Sequence, residues 1–207
     1  MAYRKTKQVR EQLAGKRLRI YTAARQLVTE GGFREAPVAA IAALAGVATG
    51  TVYRYFPSKA QLFAEVVDRT SQRELDIIVS IVESGGPPDL RLADAIRAFA
   101  SRALRGRRLA FALVAEPVEP EIDAVRLKYR RALGEVFERI VRQGIKSGAF
   151  VRQDAAVTAA CLVGACFEGL VGPLSPESGT SETERSALVE AIIGLALRAA
   201  GAVDSKK

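Results

Sequence analysis

The sequence predicts an all-α fold: a small N-terminal three-helix unit built around a helix-turn-helix, then a larger C-terminal helical domain, about nine helices in all. Three observations lead there. Apolar residues recur at i, i+3, i+4 and i+7, the spacing of one buried helix face, and few runs alternate as strands do. The composition has no Trp, few aromatics and abundant Ala. Clusters of Gly and Pro at 31–32, 46, 57, 85–88, 148 and 172–179 divide the chain into segments of helical length.

Residues 1–9 are polar and basic and read as an arm. From about residue 10 a helix runs to 30, with Ile20, Ala23, Ala24 and Leu27 on one face, and the glycines at 31 and 32 end it. Phe33 is expected to fold back onto the small domain's core. Val38, Ile41, Ala42 and Ala45 then mark a short helix that Gly46 breaks. Thr49 is placed to cap a third helix through its hydroxyl, and Gly50 and Thr51 give that helix a start with almost no bulk. Tyr53, Arg54 and Tyr55 follow, with Lys59 one turn later, and Phe56 reads as core. This is the layout of a helix-turn-helix whose second helix enters the DNA major groove by its N-terminal end.

Ser58 and Gln61 suggest a capping box for a long fourth helix. Leu62, Phe63, Val66, Val67, Ile77, Ile78, Ile81 and Val82 carry it to a stop at 84–88. At ~1.5 Å per residue it spans roughly 40 Å, enough to join two domains, 1–57 and 58–207.

In the second domain Asp89 is expected to cap a helix reaching 105, and a shorter helix covers 107–115. EPVEPE at 116–121 is a proline-punctuated link in which Glu116 and Glu119 read as helix-end charges. Pro120 suits a first helical position. An amphipathic helix over 121–146 turns Ile122, Val125, Leu133, Val136, Phe137, Ile140 and Val141 inward and its arginines outward. Residues 153–171 form an apolar, small-residue helix. Ser181 and Glu184 box the start of a last one ending near 200.

Charge narrows the function. The net charge is +8, and residues 1–60 hold all of it, with eleven Lys and Arg against three acids. The rest of the chain is balanced, so the basic end is expected to meet a polyanion. No His is present, which removes the commonest general base and metal ligand. The acids, Tyr and Cys of the second domain form no defensible catalytic set, so the chain reads as neither an enzyme nor a metal or cofactor protein. Cys161 and Cys166 point about 140° apart on one helix and read as buried free thiols in a reducing cytoplasm. The N-terminus leads into no apolar signal segment, which favours a cytoplasmic location. Residues 155–174 are long enough to span a bilayer. Their Ala and Gly content, Glu168 and the Gly172–Pro173 break fit a packed soluble helix better.

The run 20–63 resembles a known family in AA at 23–24, GGF at 31–33, IA at 41–42, AGVATGTVYRYFPSK at 45–59 and Leu62–Phe63. It is similar to the DNA-binding domain of the TetR family of transcriptional repressors. One departure is Ala36–Pro37 where that family has a Thr or Ser pair, so no DNA contact is carried onto these two.

The resemblance implies a ligand-released repressor that binds a pseudo-palindromic DNA operator as a homodimer. On this reading Thr49, Gly50, Thr51, Tyr53, Arg54, Tyr55 and Lys59 contact DNA, and Arg4, Lys5 and Lys7 reach its backbone or minor groove. A small-molecule effector would sit among Phe99, Arg102, Phe111, Tyr129, Phe167 and Glu168. Ala156, Ala160 and Gly164 at i, i+4 and i+8, with Leu188, Ala191, Ile192 and Leu195, would pair two subunits through the last two helices. A DNA-binding activator or architectural protein without ligand control is the first alternative, and an enclosed cavity of several hundred Å3 would argue against it; a small-molecule enzyme in the second domain is the last.

Overall fold

The computed structural model describes residues 7–202, and side chains over 13–202. Nine helices follow one another among the described residues: α1 Lys7–Gly31, α2 Val38–Ala45, α3 Thr49–Tyr55, α4 Lys59–Val82, α5 Pro88–Arg105, α6 Arg107–Val114, α7 Pro120–Ser147, α8 Ala155–Leu174 and α9 Glu182–Ala199. A lone bridge between Phe150 and Ala202 pins the end of α9 to the start of the α7–α8 connection.

Local chemistry explains the breaks. Ser58 Oγ accepts the Gln61 N–H at 3.0 Å and starts α4; that is one half of a capping box. Asp154 caps α8 through the Ala156 and Val157 N–H groups, and Ser181 with Glu184 forms a complete box on α9. Two expectations need correction. α5 is not capped by Asp89: Pro87 holds the cap position and Pro88 the first turn, where a missing N–H costs nothing. α8 runs on through Gly172 and Pro173 to Leu174.

Two apolar cores meet along α4. Ile20, Phe33, Ile41, Val52, Phe56, Leu62, Phe63 and Val66 belong to the first, where the Phe33 and Phe63 rings lie 5.0 Å apart. Ile78 and Val82, further along α4, belong to the second, formed with α5, α7, α8 and α9. The first core also takes Ala112 of α6 and Ile122 of α7, both fully buried. The N-terminal unit is therefore clasped from two sides, by α4 and by the α6–α7 connection.

α8 is apolar and long enough to cross a bilayer by composition. One side of it, including Leu162, Val163, Phe167 and Leu170, is core. Cys166 is buried and its thiol is pushed up to about 12 by burial, but Cys161 is exposed. The expectation of two buried thiols fails for Cys161 because 140° of helix rotation puts the pair on different faces.

Candidate nucleic-acid interface and ligand cavity

α2 and α3 meet at 96°, as a helix-turn-helix requires. Gly46 makes the turn: its φ of +64° is left-handed, and its N–H closes α2 on the Ala42 and Ala43 carbonyls. Val52 and Phe56 anchor the inner side of α3, at 2% and 3% exposure. The Arg17 guanidinium stacks 4.6 Å over the Phe56 ring and pairs with Glu65 of α4. Thr49, Gly50, Tyr53 and Arg54 are left exposed on the outer side, with Thr51 and Tyr55 half-buried beside them.

Thr49 does not cap α3. Ala48 takes that place without a side-chain bond, because the first turn closes from its carbonyl to the Thr51 N–H at 2.8 Å. The Thr49 side chain therefore stands on the outer face. At Gly50 an added Cβ would meet nothing within 4 Å, so packing among the described residues does not require glycine there. Lys59, the first residue of α4, holds its ammonium 5.1 Å from the Phe63 ring centre. Arg4 and Lys5 lie outside the described residues, as does the side chain of Lys7.

A second concave site lies between α4, α5, α6, α7 and α8. It is an apolar cavity of about 110 Å3 whose lining includes Phe99, Arg102, Tyr129 and Phe167. The Phe167 ring is 5.4 Å from Phe99 and 6.2 Å from Tyr129. Arg102 donates twice to Glu74, both at 2.7 Å, and those bonds hold its guanidinium above the ordinary value. Burial, with the nearby Glu74 charge adding, drives the Tyr129 phenol well above its usual range. Burial lowers Arg126 below its own. The Tyr129 hydroxyl, Thr70 Oγ1 and Arg126 Nε are buried there without a hydrogen-bond partner among the described residues. Buried polar atoms are normally paired, so these three are exceptions within an otherwise apolar lining.

Two expected lining residues are elsewhere. Phe111 borders a separate cleft between the α1–α2 turn and the α6–α7 connection, since helix rotation gives the cavity to Leu109, Ala110, Leu113 and Val114. Glu168 is exposed; it follows Phe167 by one position and so points to the other side of α8. Four polar lining residues escaped the sequence reading: Thr70, Ser71, Glu74 and Arg126. Each interrupts an apolar stripe. On α7, Ile122, Arg126, Tyr129 and Leu133 follow the i, i+4, i+7, i+11 spacing of one buried face, so Arg126 belongs inside with them.

Ala156, Ala160 and Gly164 are exposed along α8, beside Val157 at 60% exposure. Ala191 and Leu195 are exposed on α9 and Leu188 is half-buried. Ile192 is not on this face. It is 6% exposed in the chain's own core, its Cδ1 3.5 Å from where a Cβ on Gly169 would stand.

Residues 20–66 match the family described as bacterial regulatory proteins, tetR family, and residues 85–168 match the tetracyclin repressor-like C-terminal domain. The chain belongs to the TetR family. Among curated TetR-family relatives, the HTH-type transcriptional repressor KstR of Mycolicibacterium smegmatis is 36% identical over 77 residues, 37% of this chain and 38% of that protein. KstR of Rhodococcus jostii is 41% identical over 58 residues, 28% of this chain and 27% of its own length. The chain thus matches well under half the length of these relatives. Solved TetR-type folds extend over nearly the whole chain. The regulator FadR of Bacillus subtilis, in complex with stearoyl-CoA, superposes with a TM-score of 0.75 at 20% identity, covering 88% of this chain and 98% of that one. RolR in complex with resorcinol gives 0.66 at 22% identity, covering 92% and 94%.

Proposed function

We propose that this chain is a cytoplasmic, ligand-released transcriptional repressor that binds a pseudo-palindromic operator as a homodimer. Residues 1–57 read the DNA and residues 58–207 bind the effector and the second subunit. The observation that carries the DNA half is the outer face of α3. Thr49, Gly50, Tyr53 and Arg54 stand clear of the core, and a glycine stands where no packing among the described residues calls for one. Gly50 lets the start of α3 approach a groove edge, where the backbone N–H groups of a helix start meet phosphate. Tyr53, Arg54 and Tyr55 contact phosphates or base edges, Lys59 clamps phosphate, and Arg4, Lys5 and Lys7 follow the backbone or minor groove. One recognition helix reads a few base pairs; two copies about one helical turn apart supply the affinity. The face of α8 and α9 carrying Ala156, Ala160, Gly164, Ala191 and Leu195 joins them, its small residues letting helices approach closely.

The effector half rests on the cavity. FadR and RolR were solved with stearoyl-CoA and resorcinol, and of these two the smaller kind suits this chain. A cavity of roughly 150 Å3 holds benzene, so about 110 Å3 here takes a molecule of about one ring unless the helices part. Arg102, Arg126 and Glu74 give the lining a net positive charge, which favours a small phenol or acid. The same volume is less than several hundred Å3, which keeps the alternative of DNA binding without ligand control in play. A gel shift of the purified protein on its own upstream DNA, with and without a panel of monocyclic phenols and carboxylic acids, separates the two. Release by one of them supports ligand control, and a shift that none alters favours the alternative. No shift at low salt on that DNA or on genomic fragments overturns the repressor reading itself.

A further inference from the structure

We propose that Glu116 and Arg126 form a strut linking the cavity to the helix-turn-helix directly, alongside the route through α4. The inference rests on the cavity being the effector site. Glu116 was expected to be a helix-end charge; instead its carboxylate reaches across to the N-terminal unit. One oxygen accepts the Phe33 N–H at 3.1 Å and the other the Arg34 N–H at 3.0 Å. Both amides lie in the turn that delivers the chain to α2. Gly32 shapes the seat twice over: its φ is +82°, and a Cβ there would come within 2.6 Å of Glu116 Oε2.

The other end of the strut is Arg126. Its guanidinium donates to the Ala112 carbonyl and, at 2.8 Å, to the Glu116 carbonyl, gathering the end of α6 and the α6–α7 connection onto α7. Arg126 also lines the cavity, and its Nε is buried without a partner among the described residues. A molecule that fills the cavity therefore presses on the same guanidinium whose Nη2 fixes the backbone of Glu116. Displacing that backbone displaces the Gly32–Arg34 seat, and with it the packing of α2 under α3. Two adjacent amides each hold one oxygen of the same carboxylate, and such a two-point contact adds geometric specificity, so the link transmits position rather than mere proximity.

A double-mutant cycle tests this without an identified ligand. Ala110→Phe fills the cavity from α6, with Ala103→Leu from α5 as the smaller filler if the first lowers the melting temperature sharply. Operator affinity is read by fluorescence anisotropy with each filler alone, with Glu116→Ala alone and with both. Filling is expected to weaken binding by about tenfold, within the usual range of coupling between sites. In the Glu116→Ala background the same filling should change affinity by less than about twofold, because sites in one network are non-additive. Glu116→Gln, which keeps one strong acceptor, should fall between. Amide exchange at Phe33 and Arg34 should speed up in Glu116→Ala. Equal effects of filling in both backgrounds overturn the strut while leaving the effector site standing. No effect of filling in the parent overturns both, and unchanged exchange at the two amides overturns the seat.

Discussion

Tyr129→Phe should make the protein more stable. Its hydroxyl is buried in the cavity wall without a hydrogen-bond partner among the described residues, and such a group carries a desolvation penalty of about 1–3 kcal/mol. Deleting one oxygen leaves the ring and its edge contact with Phe167 at 6.2 Å in place. The low end of the range, about 1 kcal/mol, corresponds to a rise in Tm of roughly 2–4 °C for a domain of this size. The sign also has a pH signature. Burial raises the Tyr129 pKa in the folded chain, so as pH passes the ordinary Tyr value near ~10 the unfolded state loses this proton and the folded state keeps it. Stability of the parent therefore falls with rising pH at this site, the variant lacks that loss, and the gap between them widens above ~10. Scanning fluorimetry at neutral pH and at alkaline pH reads both. A variant that melts 2 °C or more below the parent would refute the reasoning, because the hydroxyl would then be a satisfied structural group.

Two glycine substitutions should go in opposite directions. Gly50→Ala meets open space and gains about 0.5 kcal/mol of helix stability, yet it should weaken operator binding at least several-fold in an anisotropy titration. Gly144→Ala gains about 1 kcal/mol in helix propensity, but its Cβ would lie 2.1 Å from the ring of buried Phe150. An overpacking cost of about 1–3 kcal/mol should leave it less stable in a urea melt. Tyr53→Ala and Lys59→Ala should abolish operator binding while leaving the dimer and its melting intact, as gel shift and sedimentation would show. Of the two thiols, Cys161 alone should react with a chromogenic disulfide in the native chain. Its position beside Ala160 and Gly164 should slow that reaction as protein concentration drives dimerisation; a rate independent of concentration would count against the α8–α9 interface.

Most of the fold was written in local signals: Gly46, Gly148, Pro120 and the Ser181–Glu184 pair all act where their chemistry suggests. The position of α3 was legible for the same reason, since Gly46 before it and the buried Phe56 at its end lie close in the chain. The cavity was harder to read. Aromatic residues pointed to Phe99, Tyr129 and Phe167, but Phe111 and Glu168 failed because neighbours one residue apart face different ways on a helix. Arg126, Thr70 and Glu74 were hidden by the habit of assigning charged and hydroxyl residues to solvent. The periodicity that placed Ile122 and Leu133 inside places Arg126 inside as well. Nothing local marks Glu116 as a partner for Phe33 and Arg34, more than 80 residues away in the chain. That contact exists only once α6 and α7 have packed.

The basic helix-turn-helix end should bind a specific duplex, and an anisotropy titration across a salt series tests this most directly. The probe is the chain's own upstream DNA, with a scrambled duplex of equal length beside it. Binding should saturate at an even number of chains per site, favour the upstream DNA by about 1,000-fold or more, and weaken with log[salt] at a slope of about −0.9 per phosphate contacted. Equal affinity for both duplexes, or no binding at the lowest salt, would contradict the account.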